Sequence, residues 1–166
     1  VGIEGLSQSG KTSFSESVAE KLEGRALAID GDIYQEGREL GMPIYEEAIE
    51  NVKRGGSVNP DFPEKIWRYG LMKKQLLGPI QDFNRSNSYQ TTLHLEDLID
   101  PKTKKSKERH DEEITIYNNS IILLPCMFLR QMSGYLDYLL TLSITPETSA
   151  TRKVERDKRK DRKSVV

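Results

Sequence analysis

Nine residues near the start of the chain, GLSQSGKTS at positions 5–13, combine two glycines, four hydroxyl side chains and a lysine. Gly5, Gly10, Lys11 and Thr12 have the spacing G-x-x-x-x-G-K-S/T, which is the pattern of a phosphate-binding P-loop. Glycines permit the backbone conformations in which successive N–H groups point at one anion. The spacing therefore predicts a loop that binds the phosphates of a nucleoside triphosphate.

Each residue type in this stretch has a use in binding a polyphosphate. The N–H groups of residues 7–10 would donate to phosphate oxygens, and the helix after them would add its N-terminal dipole. Lys11 would reach the β and γ phosphates, and the Thr12 hydroxyl would bind Mg²⁺, which prefers oxygen ligands. We predict that the nucleotide site consists of Gly5, Ser7, Gln8, Ser9, Gly10, Lys11, Thr12 and Ser13.

The flanking residues predict the strand and the helix that a P-loop requires. VGIEG, before the loop, is a short β-type run. After the loop, KTSFSESVAEKLEG places Phe14, Val18, Ala19 and Leu22 at helical spacing, and Gly24 follows as a stop. The alternative is a Gly/Ser-rich turn before a helix, and the combination of strand, loop and helix favours the phosphate site.

Length, charge and cysteine content narrow the class of protein. A chain of 166 residues predicts one domain, residues 1–166, and the net charge of −1 does not indicate a nucleic-acid partner. Residues 152–163 are locally basic, but acidic residues are interleaved among them. The single cysteine, Cys126, argues against a disulfide framework. No apolar run reaches the roughly 18 residues of a membrane span, so we expect a soluble cytoplasmic protein with no membrane partner.

The remaining chain alternates strand and helix patterns. Alternation of this kind predicts an α/β protein with a parallel sheet and helices on both faces. The predicted strands are residues 25–30, 118–125 and 139–144, and the predicted helices are residues 44–53 and 59–78, the second ended by Gly78-Pro79. We further predict a hairpin excursion over residues 93–116 and a helical lid region over residues 146–163, with Pro146 in its first turn.

Several classes of P-loop protein are disfavoured by what the sequence lacks. No N/T-K-x-D motif for reading guanine and no LSGGQ motif is present, and the apolar run IILLP ends in proline instead of an acid. A small-substrate kinase remains, in which a substrate hydroxyl replaces water as the nucleophile. We therefore expect ATP and Mg²⁺ as cofactors and a small hydroxyl-bearing molecule as the substrate, and homo-oligomerisation is left open.

A kinase of this kind also needs a carboxylate that accepts the hydroxyl proton and cations that spread the developing charge. Asp30 and Asp32 follow a predicted strand, at the end where parallel sheets bind ligands. The alternative is that they are turn residues without chemistry. Four arginines recur on one predicted helix face, and the alternative there is a solvated charged helix. These arginines are Arg152, Arg156, Arg159 and Arg162.

Five stretches in order resemble the uridine kinase family, within the group that includes phosphoribulokinase and pantothenate kinase. VGIEGLSQSGKT is similar to the family's opening V-G-I-x-G-x-S-x-S-G-K-T, and IDGDIY falls where the family has D-D-F-Y or D-G-F. NPDFPEKI resembles the H-P-D-A-F stretch, and LHLEDLIDPKTKKSKER resembles the hairpin with its basic turn. TRKVERDKRKDR resembles the Arg-rich lid helix with its R-D-x-x-x-R core.

The resemblance implies a P-loop kinase fold and assigns roles to individual residues. Asp30 would be the catalytic base by the D-G match, with Asp32 as the alternative. Lys11 and Arg156, the arginine of the R-D core, would act on the transferred phosphate, and Arg152 and Arg159 would contact the nucleotide. The residues implied on the substrate side are Asp32, Tyr34, His94 and Arg162.

Three departures from the family pattern leave alternatives open. Pro125-Cys126 replaces the E-G whose glutamate helps to organise the metal, and Val58 replaces an acid that helps to hold ribose. The acceptor could therefore differ from uridine or cytidine. The family has a last strand after the lid, and we expect that strand beyond Val166. The alternative function is an ATP-binding regulatory module with lost or weak catalysis.

Overall fold

A computed structural model describes residues 1–100, 103–105, 107–145, 147–149 and 151–155. The chain divides into two compact units. The first consists of Val1–Ile29 together with the chain from Ile121 onward, and the second is Asp30–Ser120. No observation tests whether the 166 residues act as one domain, so that stays a prediction.

The strands and helices alternate along the chain, as the sequence pattern predicts. The strands are β1 (Gly2–Gly5), β2 (Ala26–Ala28), β3 (Gln90–Ile99), β4 (Arg109–Tyr117), β5 (Ile121–Cys126) and β6 (Leu139–Leu142). The α-helices are α1 (Lys11–Lys21), α2 (Arg38–Lys53), α3 (Phe62–Ile66), α4 (Tyr69–Met72) and α5 (Gly78–Arg85). Residues 147–149 and 151–155 are also helical.

The first unit is built on a four-stranded parallel sheet in the order β2-β5-β1-β6. Ile3, in the central strand β1, is completely buried, as are most of the inward side chains of β5. Helix α1 packs against β1, β2 and β5, and a 3-10 segment, Leu129–Tyr135, packs against β1 and β6. The predicted α/β fold with a parallel sheet is confirmed.

Helix α1 differs from its sequence pattern in the face that it buries. The apolar spacing predicts Phe14 at the interior, yet Phe14 is 39% exposed and Ser15 is the buried residue. Ser15 can be buried because its hydroxyl donates to the Lys11 carbonyl at 2.8 Å, which satisfies the polar group within the helix. A small side chain at this position also allows close approach to the sheet.

The second unit contains the largest departure from the predicted helices. The predicted helix over 59–78 is interrupted at Trp67, which is extended (φ −109°, ψ 130°), and Gly78-Pro79 does not end it. Lys73–Leu77 forms a π-helical turn in which the Gly78 N–H donates to the carbonyl of Lys73. This extra residue in the turn allows the helix to pass Pro79, which has no N–H to donate.

Strands β3 and β4 form the predicted hairpin, paired in antiparallel register. A bulge between Leu95 and Leu98 places Asp97 at a positive φ of 59°. The Asp97 carbonyl accepts hydrogen bonds from the guanidinium groups of Arg68 and Arg109, and its carboxylate pairs with both. The bulge is therefore held by charge from two other elements of the unit.

The core of the second unit is formed by aromatic and aliphatic side chains from its helices and its hairpin. These side chains include Tyr34, Ile66, Trp67, Met72, Leu76, Leu93, Leu95, Leu98 and Ile99. Across all the described residues, none of the helices combines the length and the apolar character needed to cross a membrane.

Candidate active site

The phosphate loop joins the end of β1 at Gly5 to the start of α1 at Lys11. Within it, the Ser9 N–H donates to the Leu6 carbonyl at 3.1 Å. Gln8 has a positive φ of 62°, and Gly10 lies in the left-handed region at φ 91°. Gly10 has no side chain to cap α1, and a helix N-terminus without a side-chain cap is a favourable place for an anion.

The lysine of the loop points back to the beginning of the loop. Lys11 Nζ donates to the carbonyls of Gly5 at 2.8 Å and Leu6 at 2.9 Å. A positive charge is therefore held at the end of β1, where a terminal phosphate of a nucleotide in this loop would need it. Thr12 and Ser13 lie exposed in the first turn of α1.

The helical residues after β6 contact the same loop from the outside. Ser149 Oγ donates to the Ser7 carbonyl at 2.7 Å, and Arg152 Nη1 donates to the Gln8 carbonyl at 3.2 Å. Each of these carbonyls shares a planar peptide with the N–H of the next residue. The N–H groups of Gln8 and Ser9 therefore point away from these contacts. The structure thus brings Arg152 and the predicted loop residues together in the first unit.

The two predicted acids lie at the start of the second unit, with Asp32 inside a short 3-10 turn, Gly31–Tyr34, and Asp30 directly before that turn. Asp30 caps this turn, because its Oδ1 accepts the Asp32 N–H at 3.0 Å. Ile29 follows the last residue of β2, and its N–H donates to the Leu123 carbonyl of β5 at 2.9 Å. Asp30 is the next residue in the chain. Asp30 is thus the second residue after the end of a sheet strand.

Asp32 differs from Asp30 in its partners. Its Oδ1 accepts from Gln35 Nε2 at 2.7 Å, and its Oδ2 pairs with Lys104 Nζ at 3.0 Å. Lys104 Nζ also donates to Gln35 Oε1 at 2.9 Å, which closes a ring of three side chains. Both oxygens of Asp32 are therefore engaged in tying the 3-10 turn to the loop between β3 and β4.

Tyr34, predicted on the substrate side, lies in the core of the second unit with no exposed surface. Its carbonyl accepts the Arg68 N–H at 2.8 Å, whereas its hydroxyl has no hydrogen-bond partner among the described residues. Burial raises the pKa of the Tyr34 phenol above its ordinary value, and the nearby Arg68 opposes that rise. The phenol is therefore neutral at ordinary pH.

His94 lies on the outward face of β3, between the buried residues Leu93 and Leu95. Its Nδ1 is 2.9 Å from Glu113 Oε1 on β4, and both side chains are largely exposed. An exposed cross-strand pair of this kind contributes little to stability. The role of His94 toward a substrate stays a prediction.

Three of the predicted lid arginines cannot be placed. Arg156, Arg159 and Arg162 lie outside the described residues, as does Pro146. Their roles stay predictions from the sequence.

A magnesium ion at this site would depend on few protein ligands. Among the described residues, no group of three or more His, Cys, Asp or Glu side chains could hold a metal ion. Strand β5 ends in Pro125 and Cys126, and the Cys126 thiol is buried and donates to the Met127 carbonyl at 3.2 Å. Mg²⁺ at phosphate sites is held by one or two protein oxygens, substrate phosphates and water, so the exposed Thr12 hydroxyl fits this ion.

Comparison with solved structures identifies the architecture. A possible uridine kinase from Bacillus stearothermophilus superposes with a TM-score of 0.54 at 19% identity, over 89% of this chain and 72% of that chain. A protein described as a fructose transport system kinase from a Silicibacter species superposes with a TM-score of 0.52 at 15% identity, over 93% of this chain and 69% of that chain. The fold is that of a P-loop kinase.

The sequence comparisons add no family to this result. No protein-family model matches the sequence, and no curated protein matches it. At identities below 20%, the likeness to the two kinase structures shows the P-loop kinase fold, which confirms the fold predicted from the motifs.

Three side chains that the structure places at or beside these sites were not predicted from the sequence. Lys104 belongs to a basic stretch whose charges look equivalent in the sequence, and its ion pair with Asp32 joins positions 72 residues apart. Ser149 precedes Arg152 by three residues, a spacing that predicts a shared helix face. Glu4 lies one residue before the end of β1, and an acid there is a local signal because buried parallel strands are mostly apolar, but that signal does not show what surrounds the side chain.

Proposed function

We propose that this protein is an ATP-dependent small-molecule kinase that transfers the γ-phosphate to a hydroxyl of a nucleoside or a similar small acceptor. The observation that carries the proposal is the strand–loop–helix unit of residues 2–21, with Lys11 held at its terminal-phosphate end, in a P-loop kinase fold. The single cysteine, Cys126, is buried, and a sequence with one cysteine fits the reducing cytoplasm in which the proposal places the protein.

The loop and the residues around it account for nucleotide binding. Backbone N–H groups and the N-terminus of α1 would donate to the phosphates, and Lys11 would neutralise the terminal charge. Arg152 is anchored to the loop at Gln8 and carries a second positive charge beside it. Mg²⁺, when bound, would neutralise charge on the β and γ phosphates, with Thr12 as its protein ligand.

We assign the role of base to Asp30, which follows β2 at the end of the sheet where parallel strands bind ligands. Asp32 pairs with Lys104 through Oδ2 and accepts a hydrogen bond from Gln35 at Oδ1, so both of its carboxylate oxygens are engaged. In the proposed step, Asp30 accepts the proton of the acceptor hydroxyl while the hydroxyl oxygen forms a bond to the γ-phosphorus. The bond from that phosphorus to the bridging oxygen breaks, and ADP leaves with the electron pair.

The test is phosphate transfer from radiolabelled ATP with Mg²⁺ to a panel of acceptors that includes uridine, cytidine, D-fructose and pantothenate. Wild-type protein should label at least one acceptor. Lys11→Ala should abolish the labelling, because the terminal phosphates lose their cation. Lys21→Ala, which removes an exposed lysine at the other end of α1, is the matched control and should retain it. Labelling that survives in Lys11→Ala would refute the proposed site.

A second candidate function is nucleotide binding without catalysis, in a regulatory module. It is favoured by Pro125 and Cys126 at the end of β5, because this strand end supplies no carboxylate of its own to organise a metal. This candidate predicts that wild-type protein binds Mg-ATP, that Lys11→Ala weakens the binding, and that no acceptor in the panel is labelled. Labelled product that depends on Lys11 would exclude it.

A further inference from the structure

A cleft of about 280 Å³ lies at the carboxyl end of the first unit's sheet, beside the phosphate loop. Its walls come from the end of β1, the segment after β5 and the end of β6. They include Glu4, Leu6, Phe128, Arg130, Leu142 and Ser143. This volume is close to the lower limit of small-molecule sites, roughly 300 Å³, so the cleft has room for a small ring.

Glu4 supplies the charged group of the cleft. In the sheet register it lies between Cys126 of β5 and Thr141 of β6, at the centre of the sheet edge. Its side chain is only 13% exposed, and Oε2 is buried without a hydrogen-bond partner among the described residues. A buried carboxylate oxygen without a donor is costly, which indicates a donor that is not among the described residues.

Arg130 does not satisfy this carboxylate. Its Nε is 3.9 Å from Glu4 Oε2, which is too far for a hydrogen bond, and its side chain is 79% exposed. A long exposed side chain at the mouth can move aside at little cost, because exposed ion pairs contribute little. The inner end of the cleft is therefore acidic, and its mouth carries a movable positive charge.

The backbone at Phe128 provides a second sign of a functional cleft. Phe128 adopts φ 58° and ψ 36°, the left-handed region, which is uncommon for a bulky side chain. Strained backbone of this kind concentrates at ligand sites, where it aims a particular side chain. Here the residue in this conformation is one that lines the cleft.

The position of the cleft relates it to the terminal phosphate. Gly5 and Leu6 line the cleft, and the same two residues hold Lys11 Nζ through their carbonyls. The cleft therefore adjoins the loop at its lysine end, where the terminal phosphates of a nucleotide are expected. A carboxylate repels phosphate, so the group that enters the cleft must be uncharged or cationic and must donate a hydrogen bond.

We propose that the cleft binds the uncharged, hydroxyl-bearing part of the phosphate acceptor, with Glu4 accepting a hydrogen bond from that part. The proposal rests on the proposed kinase function and extends it to a sugar or polyol ring as the substrate class. The ring would stack or pack on the apolar wall that includes Phe128 and Leu142, and its hydroxyl would satisfy Glu4 Oε2.

The first experiment measures KM for ATP and for whichever acceptor of the panel is phosphorylated. Glu4→Gln should raise the acceptor KM about tenfold or more, the expected effect of removing a charged hydrogen bond, and should leave the KM for ATP unchanged. Ser143→Leu, a change at an exposed position that fills the cleft, should raise the acceptor KM as well. Glu20→Gln, the same chemical change on an exposed position of α1, should change neither KM.

A second experiment does not depend on turnover. Amide NMR shifts of wild-type protein are followed during titration with uridine and with D-fructose, in the presence of a non-hydrolysable ATP analogue and Mg²⁺. Shifts at Gly5, Leu6, Phe128 and Ser143 that disappear in Ser143→Leu would support the cleft, even if no acceptor is phosphorylated and the kinase proposal fails.

Three results would overturn the proposal. A rise in the KM for ATP alone would assign the cleft to the nucleotide. Unchanged KM values for both substrates in Glu4→Gln and Ser143→Leu would leave a cleft that holds only water. Where no acceptor is phosphorylated, the absence of NMR shifts at the cleft with both probes would have the same meaning.

Discussion

Gly5 has a structural reason that is separate from its place in the phosphate-binding pattern. A Cβ at this position would lie 2.5 Å from the Leu142 carbonyl oxygen and 2.6 Å from Ser9 Oγ. The first of these is backbone of β6, which cannot move without disturbing the sheet. The close approach of β6 to the end of β1 therefore requires glycine, whatever the loop binds.

We expect Gly5→Ala to lower the free energy of unfolding by roughly 1–3 kcal/mol, the usual cost of overpacking. Chemical denaturation of wild type and variant measures this. The matched control is Gly70→Ala, since a Cβ on Gly70 in α4 meets no atom within 4 Å. That control should be neutral or stabilise the protein, and a loss of stability as large as that of Gly5→Ala would contradict the packing argument.

Tyr34 gives a prediction for the pH dependence of stability. Its pKa in the folded protein is raised above the ordinary 10.0 by burial, so the folded state keeps a proton that the unfolded chain loses. The contribution of this group to stability is therefore complete below about pH 10 and decreases as the pH rises further. Tyr34→Phe removes the ionisable group and should make this decrease smaller.

Tyr34→Phe also removes a buried hydroxyl that has no hydrogen-bond partner among the described residues. At neutral pH the variant should therefore be as stable as wild type or more stable by about 1 kcal/mol. Urea denaturation of both proteins at about pH 8 and about pH 11 tests both parts. Equal losses of stability between the two pH values in wild type and variant would show that Tyr34 is not the responsible group.

The helical segment after β6 acts on the phosphate loop through Ser149. The hydrogen bond from Ser149 Oγ to the Ser7 carbonyl fixes one peptide of the loop before any ligand binds. Ser149→Ala should weaken binding of a non-hydrolysable ATP analogue about fivefold, the equivalent of about 1 kcal/mol for one hydrogen bond. Calorimetric titration measures this, with Ser17→Ala on the exposed side of α1 as the control.

If Ser149→Ala bound the analogue as tightly as wild type, the loop would not depend on this contact.

The elements that could be predicted from the sequence are those whose local pattern agrees with their tertiary surroundings. The apolar run of β5 and the turn-rich hairpin between β3 and β4 are of this kind. The helix over residues 59–78 is not. Its periodicity continues through Trp67, but Trp67 bridges to Gln35 in an extended conformation, and that tertiary pairing overrides the helical preference.

The end of the same helix shows a second limit. Gly78-Pro79 is a strong local break signal, yet the π turn before it absorbs the missing N–H of Pro79 and α5 continues to Arg85. A pattern that counts residues at 3.6 per turn does not anticipate an inserted residue. Helix α2 likewise begins at Arg38, six residues before the predicted start at Ile44, and it continues through Pro43.

For the molecule as a whole, the order of the motifs along the sequence predicted the fold better than the amino-acid composition did. The P-loop, the acid after β2 and the lid pattern together indicated a P-loop kinase fold, which the parallel sheet in the order β2-β5-β1-β6 and the two kinase structures confirm. The candidate site was predictable where it is local, as in the loop of residues 5–13. The ion pair of Asp32 with Lys104 and the position of Glu4 in the cleft wall could not be predicted from the sequence, because they depend on long-range packing.

The central claim is that the phosphate loop and Asp30 serve one phosphoryl transfer reaction. The most direct measurement compares the transfer rates of Asp30→Asn and Asp32→Asn with wild type, on the acceptor that the panel identifies, with analogue binding measured in parallel. Asp30→Asn should bind the analogue normally and lose about 10²–10⁴-fold in transfer rate, the usual contribution of a general base. Asp32→Asn should keep most of the rate, because Asp32 serves the ion pair with Lys104. Transfer by Asp30→Asn at the wild-type rate would contradict the claim.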